Sequence, residues 1–149
     1  MERILAAEAT VAVAESLTGG ALSTELAKRP QASRWYRGAV VAYSSDTKHR
    51  LLGVRPGPVV SREAALDMAH GVAAALDATV TLAVTGVGGP EPQDGQEPGT
   101  VWLAATANGQ DLAVRLQLGG SPEEVIDQAC RHALKALEDH LRVCRVGGG

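Results

Sequence analysis

The sequence predicts an α/β fold: a three-layer α/β/α sandwich around a mixed, mostly parallel sheet of about five strands, with a hairpin in its C-terminal half. Three observations predict it. Short apolar runs of strand length alternate with longer stretches at helical spacing. The 149 residues are 45% apolar but only 3% aromatic with no Phe, so the core is built from Ala, Val and Leu, whose small side chains let layers approach closely. Finally, Asn108-Gly109 between two alternating runs is a tight-turn signal, which makes at least one pairing antiparallel.

Each element has its own signal. Thr10-Val11-Ala12-Val13-Ala14 is a short buried strand that stops at Glu15-Ser16. Thr18-Gly19-Gly20 opens a helix with Ala21, Leu22 and Leu26 on one face, and Lys28-Arg29-Pro30 ends it with cations and a breaker. Gly38-Ala39-Val40-Val41-Ala42-Tyr43 is the second strand, followed by a short helical turn through Lys48 to Leu52. Gly53, Pro56, Gly57 and Pro58 mark a loop, after which Ser61 caps a helix reaching about Leu76. Val80, Leu82 and Val84 alternate in the third strand.

Residues 86–99 are rich in Gly, Pro and acid and show no periodicity, the mark of a long and often functional loop. Residues 101–106 and 112–118 read as the hairpin strands. Ser121-Pro122-Glu123-Glu124 offers an N-cap, a first-turn Pro and a capping-box Glu. The last helix then carries Ile126, Ala129, Ala133, Leu137 and Leu141 as its stripe. One domain spanning residues 1–149 is expected, with a core over about 4–141 and a frayed tail over 143–149.

In such sheets ligands sit beyond the carboxyl ends of the strands. Three of the predicted strands end in polar or glycine-rich segments: Glu15 to Gly20, Tyr43-Ser44, and Thr85 to Pro90. Ser16 stands between a buried strand and a glycine-opened helix, where a hydroxyl acts either as a plain N-cap or as a reactive group beside free N–H groups. Two glycines one turn later suit close approach of a ligand more than a simple cap. Lys48 is the second candidate. It can serve a serine as general base only if burial makes it neutral, since an ordinary lysine is neutral in roughly one molecule in a few thousand at pH 7. A solvated surface lysine is the commoner fate. Ser45-Asp46-Thr47-Lys48 also fits the S-x-x-K pattern of serine β-lactamases, but the companion motifs are missing.

Other classes are disfavoured. The net charge of −3 and the lack of a basic block speak against nucleic-acid binding. No apolar run reaches the ~20 residues of a membrane span. Met1-Glu2-Arg3-Ile4-Leu5 does not read as a signal peptide, and Cys130 and Cys144 lack metal-type spacing, so a reduced, cytoplasmic protein is expected. His49, His70, His132 and His140 form no zinc pair. Glu91, Asp94 and Glu97 read as solvated loop acids, and Trp35-Tyr36 as packing.

Ala14-Glu15-Ser16-Leu17-Thr18-Gly19-Gly20 resembles the A-E-S-x-T-G-G motif of the CinA C-terminal domain family. The likeness continues in order through Trp35 to Ser44, Lys48, Leu51-Leu52-Gly53-Val54, Val60-Ser61, Ala83 to Pro90, and Pro98 to Trp102. That family includes nicotinamide-nucleotide amidases, which deamidate nicotinamide mononucleotide to nicotinic acid mononucleotide and ammonia without metal or cofactor. The resemblance implies a stand-alone form with Ser16 as nucleophile, Lys48 as base and Tyr43 close by. Thr18, Gly19, Gly20, Ser44, Thr85 and Gly86 would contact substrate, and backbone amides at 18–20 or 85–86 would hold the oxyanion. It also implies a small-molecule nucleotide as partner and a homo-oligomer, a dimer or higher. One departure stands out. Many members carry Gly-Asp-Arg before the last helix where this chain has Gly120-Ser121-Pro122, leaving Arg37, Arg50 or Arg115 to replace a phosphate clamp. A nucleotide-binding module without catalysis and a purely structural domain therefore stay open beside the enzyme.

Overall fold

The computed structural model describes residues 1–148. Five strands, β1 (Val11–Glu15), β2 (Tyr36–Val41), β3 (Val80–Gly86), β4 (Thr100–Ala107) and β5 (Gln110–Gln117), form one sheet in the order β2-β1-β3-β4-β5. β1 is the parallel partner of both β2 and β3, whereas β3–β4 and β4–β5 are antiparallel. Four strands thus run one way and β4 runs against them. The antiparallel hairpin turns at Asn108 and Gly109, both with positive φ (49° and 72°), as a two-residue turn between right-twisted strands requires.

Strand parity divides the core. Val11 and Val13 of β1 face α2 (Ala21–Ala27) and α6 (Pro122–Val143), in one cluster with Leu22, Leu26, Leu82, Leu103 and Leu137. Ala12 and Ala14 face the other way, against α4 (Ser45–Leu52) and α5 (Arg62–Leu76), with Leu52, Met68, Val72 and Ala83. Successive side chains on a strand point to opposite faces, so a Val/Ala alternation makes one thick layer and one thin one. On the thin side α4 and α5 are nearly in contact: a Cβ on Gly71 would lie 2.0 Å from the Leu52 carbonyl oxygen. The capping box at Ser121 is formed on both sides, the Ser121 hydroxyl accepting from Glu124 N–H and the Glu124 carboxylate from Ser121 N–H.

Several expectations are corrected. β2 begins at Tyr36 and ends at Val41, so Ala42 and Tyr43 have already left the strand. Gly19 and Gly20 precede α2 in left-handed conformations rather than forming its first turn. Two short helices lacked a periodic signal, α1 (Glu2–Ala6) and α3 (Ala32–Trp35); each is one turn, anchored by buried Ile4 and Trp35 respectively. The tail does not fray. Cys144 and Val146 are buried, and Asn108 Nδ2 donates to the Cys144 carbonyl at 2.9 Å. Gly149 of that tail lies outside the described residues. Among the described residues no helix is long and apolar enough to cross a membrane.

Candidate active site

The carboxyl ends of β1, β2 and β3 converge on one rim, where a cleft of about 400 Å³ opens. Ser16 and Leu17 line it after β1, Tyr43 after β2, Gly86 to Gln93 after β3, and Pro122 and Ile126 from α6. The three segments singled out in the sequence therefore meet.

Ser16 is 4% exposed, and among the described residues its hydroxyl has no hydrogen-bond partner. It is not the helix cap. That role belongs to Glu15, which follows Val11 and Val13 on the α2 face of β1 and is fully buried. Its carboxylate accepts from Leu22 N and Ser23 N at 2.9 Å and from Gly20 N at 3.3 Å. A negative charge at a helix N-terminus satisfies the free N–H groups and the dipole together. Gly19 N donates to the Ser16 carbonyl and Ala21 N to the Thr18 carbonyl. The Gly19 and Gly20 amides expected to hold an oxyanion are thus already engaged. The N–H groups of Ser16, Leu17 and Thr18 have no protein acceptor among the described residues. Thr18 is 3% exposed and its hydroxyl has no partner either.

Lys48 is 1% exposed, and its ammonium donates to the Tyr43 carbonyl at 3.0 Å. It bonds to the residue that borders the cleft, not to Ser16 itself. Burial pushes its pKa below the usual lysine value, while the charge of Asp94 works in the opposite direction. Tyr43 is 73% exposed, with its ring on the open side of the cleft. Ser45, by contrast, is exposed on α4 where Lys48 is buried, so the S-x-x-K pair does not form a common site.

Two other residues expected to contact substrate have hydrogen-bond partners within the protein. The Ser44 hydroxyl caps α4, accepting from Thr47 N at 3.1 Å and pairing with Thr47 Oγ1 at 2.8 Å. Thr85 shares strand parity with Thr81 and Ala83, so its side chain points to the α5 face, where it donates to the Val59 carbonyl at 2.7 Å. Gly86 does reach the cleft, and its missing Cβ is what lets β4 approach: a methyl there would sit 2.6 Å from the Thr100 carbonyl oxygen.

Residues 86–99 are less irregular than their composition implies. Asp94 and Gly95, with φ of 51° and 72°, turn a miniature hairpin closed by reciprocal bonds between Gln93 and Gln96. One Asp94 carboxylate oxygen accepts from Val59 N at 2.8 Å and Val60 N at 3.3 Å. Asp94 is no free loop acid, and Asp-Gly, a hairpin dipeptide, was the signal that marked it. Glu15 was also missed; its signal was an acid continuing a buried apolar run.

None of the arginines considered for phosphate binding lines the cleft. Arg37 donates to the Leu76 carbonyl at the far end of the sheet, Arg50 pairs with Asp46 on the surface of α4, and Arg115 reaches Gln117. Among the described residues Glu91 is the only charged side chain on the cleft wall, and Pro122 lines it from α6.

The model of the CinA C-terminal domain matches residues 1–141. Protein YdeJ of Escherichia coli (strain K12) is 34% identical over 142 residues, covering 91% of this chain and 83% of that protein. A CinA-like protein of Amoebophilus asiaticus (strain 5a2) is 35% identical over 139 residues, covering 89% of this chain but 33% of its own. The chain spans about a third of the length of such relatives. Among solved structures, a competence-damaged protein (CinA) superfamily protein from Escherichia coli superposes with a TM-score of 0.89 at 34% identity, covering 92% of this chain and 83% of that one. Another from Enterobacter cloacae gives 0.91 at 31% identity, with 94% and 86% covered.

Proposed function

Because this chain belongs to the CinA C-terminal domain family, we propose that it hydrolyses the carboxamide of nicotinamide mononucleotide to nicotinic acid mononucleotide and ammonia. The observation that carries the reading is the buried Lys48, bonded to the carbonyl of a residue that shares a cleft with an unbonded Ser16 hydroxyl. A lysine so desolvated reaches its neutral form at lower pH than one in water, which is what a base for serine requires.

The chemistry follows in two halves. Ser16 Oγ attacks the carboxamide carbon, Lys48 takes the hydroxyl proton and returns it to the departing nitrogen, and ammonia leaves a seryl ester. Water, deprotonated by the same amine, then cleaves the ester and restores Ser16. The unpaired amides of Leu17 and Thr18 are the donors at hand for the oxyanion. The Tyr43 ring borders the substrate. On this reading the protein acts in the cytoplasm as a homo-oligomer and needs no metal, so turnover survives chelator and light scattering reports more than one chain.

The test is to incubate the purified protein with nicotinamide mononucleotide and measure ammonia and the acid nucleotide. Saturable turnover is expected, falling by about 10³-fold or more in Ser16→Ala and in Lys48→Ala. Undiminished turnover in either variant removes the mechanism, and an inert wild type removes the activity.

One observation favours a second reading, a nucleotide-binding module without turnover. Among the described residues the cleft wall has no Lys or Arg, so they build no charge-assisted pair for a phosphate into it. Calorimetric binding of the nucleotide without product would select the module. Neither binding nor turnover would leave a structural domain.

A further inference from the structure

We propose that Asp94 is a positioning residue that latches the cleft-lining loop to the backbone ahead of α5 and so holds the wall of the substrate site. The inference rests on the hydrolase reading for its kinetic consequences, but the latch itself is a matter of geometry.

The returning arm of the loop is held near β4, where Thr100 N donates to the Glu97 carbonyl and Gln117 Nε2 to the Pro98 carbonyl, but the outgoing arm is not. At its base Val87 N donates to the Thr100 carbonyl and Gly99 N to the Val87 carbonyl, which closes the loop onto β4. At its tip Gln93 and Gln96 close the small hairpin on itself. The cleft-lining stretch from Gly88 to Pro92 has no backbone hydrogen bond of its own among the described residues. It is suspended between base and tip. The tip would be free to swing if nothing held it, and what holds it is one oxygen of Asp94 on two consecutive amides, Val59 N and Val60 N.

Val59 makes the latch rigid. Its carbonyl accepts the Thr85 hydroxyl while its N–H donates to Asp94. A single peptide segment therefore ties the end of β3 to the far end of the loop that leaves β3. Thr85 is buried and its bond has ordinary hydroxyl geometry at 2.7 Å, so the strut is anchored in the core. This gives Thr85 a part in the site through the loop rather than through substrate.

Asp94 has a second effect. Charged groups on the elements around Lys48 include Asp46, His49 and Arg50 on α4, Glu63, Asp67 and His70 on α5, and Glu15 at the end of β1. Asp94 is the one whose charge bears on Lys48, favouring the ammonium. Latch and charge can be separated because both amides bond the same oxygen. Asp94→Asn keeps a carbonyl oxygen for them, tolerates the left-handed backbone and removes the charge. Asp94→Gly also tolerates that backbone and removes both.

Hydrogen exchange at Val59 and Val60, whose amides the Asp94 oxygen holds, and at Gln93 and Gln96, followed by mass spectrometry, reads the latch without any substrate. Exchange in Asp94→Gly should quicken by about tenfold, the equivalent of ~1.4 kcal/mol of local opening, with Asp94→Asn close to wild type. Equal exchange in Asp94→Gly and wild type overturns the latch, and fast exchange in both variants means that charge, not the bonded oxygen, was holding the loop. The charge is read by titrating ¹³C-labelled lysine by NMR, which is uncrowded because the chain has three lysines, Lys28, Lys48 and Lys135. Lys48 should titrate at lower pH in Asp94→Asn than in wild type, and an unmoved titration overturns this part. In turnover, Asp94→Gly should raise KM about tenfold with a smaller change in kcat, while Asp94→Asn should move the acid limb of the pH profile to lower pH. If wild type shows no turnover, the hydrolase reading falls while exchange and titration still decide the role of Asp94.

Discussion

Glu15 and Lys48 stand at the same rim of the sheet, both charged, at 0% and 1% exposure, and they could hardly be treated more differently. The Glu15 carboxylate accepts from three backbone N–H groups at the head of α2. The Lys48 ammonium, with three protons to place, has a single partner in the Tyr43 carbonyl. A buried charge that is fully bonded is architecture, since removing it orphans everything it held. A buried charge with one weak tie is poised to give up its proton, because its surroundings favour the neutral amine. The difference separates a residue bonded into the head of α2 from one that, on the proposed reading, serves as the base.

The largest effect should come from Glu15→Ala. Three N–H groups, one buried and two part-buried, lose their acceptor, and at about 1–3 kcal/mol for a fully buried one a total loss of about 3 kcal/mol is expected in denaturant unfolding. Glu15→Gln should cost less, because an amide oxygen still serves Gly20 and Leu22 while its NH₂ opposes Ser23 N–H. Lys48→Met should act in the other direction. Exchanging a poorly satisfied buried ion for an apolar chain of similar length is neutral or stabilising, here by about 1 kcal/mol, even as turnover is lost. If Lys48→Met destabilises as much as Glu15→Ala, the contrast between the two charges is broken.

The same contrast explains what could be read before any coordinates existed. Layers and strands were legible because the Val/Ala alternation of β1 and the capping box of α6 encode local periodicity directly. The meeting of Ser16, Tyr43 and Gly86 was legible through the rule that parallel strands gather their carboxyl ends. Glu15 was not, since nothing local distinguishes an acid that ends a strand in solvent from one turned under the next helix. Ser44 and Thr85 were placed against substrate from their positions in motifs. Only strand parity and the first turn of α4 show that their hydroxyls face Val59 and Thr47. The missing one-turn helices α1 and α3 are too short to carry a period at all, and they exist because Ile4 and Trp35 find room in the core.

A pH series sharpens the Lys48 side of the comparison. Its folded pKa lies below the unfolded value, so the unfolded chain binds the extra proton in the window between the two. Stability carried by this position is complete above the unfolded lysine range and declines as pH falls toward the folded pKa. The advantage of Lys48→Met over wild type should therefore be greatest near neutral pH and shrink as pH rises toward 10, measured by urea unfolding at each pH. An advantage that grows with pH would mean that the ammonium, not the amine, is the form the fold prefers.

Ser16→Ala should give the smallest change in stability and the most telling one. The Ser16 hydroxyl has no hydrogen-bond partner among the described residues, so its removal orphans no donor or acceptor there. The alanine methyl fits within the space of Cβ and exposes no new polar group, which keeps the expected shift within about 0.5 kcal/mol. A hydroxyl at 4% exposure beside a cleft and without a protein partner among the described residues adds no bond to the fold, which is what the proposed nucleophile requires. Should Ser16→Ala cost more than about 1 kcal/mol, the hydroxyl has a bonded role in the folded state, and the division between building and working residues at this rim fails at its most important member.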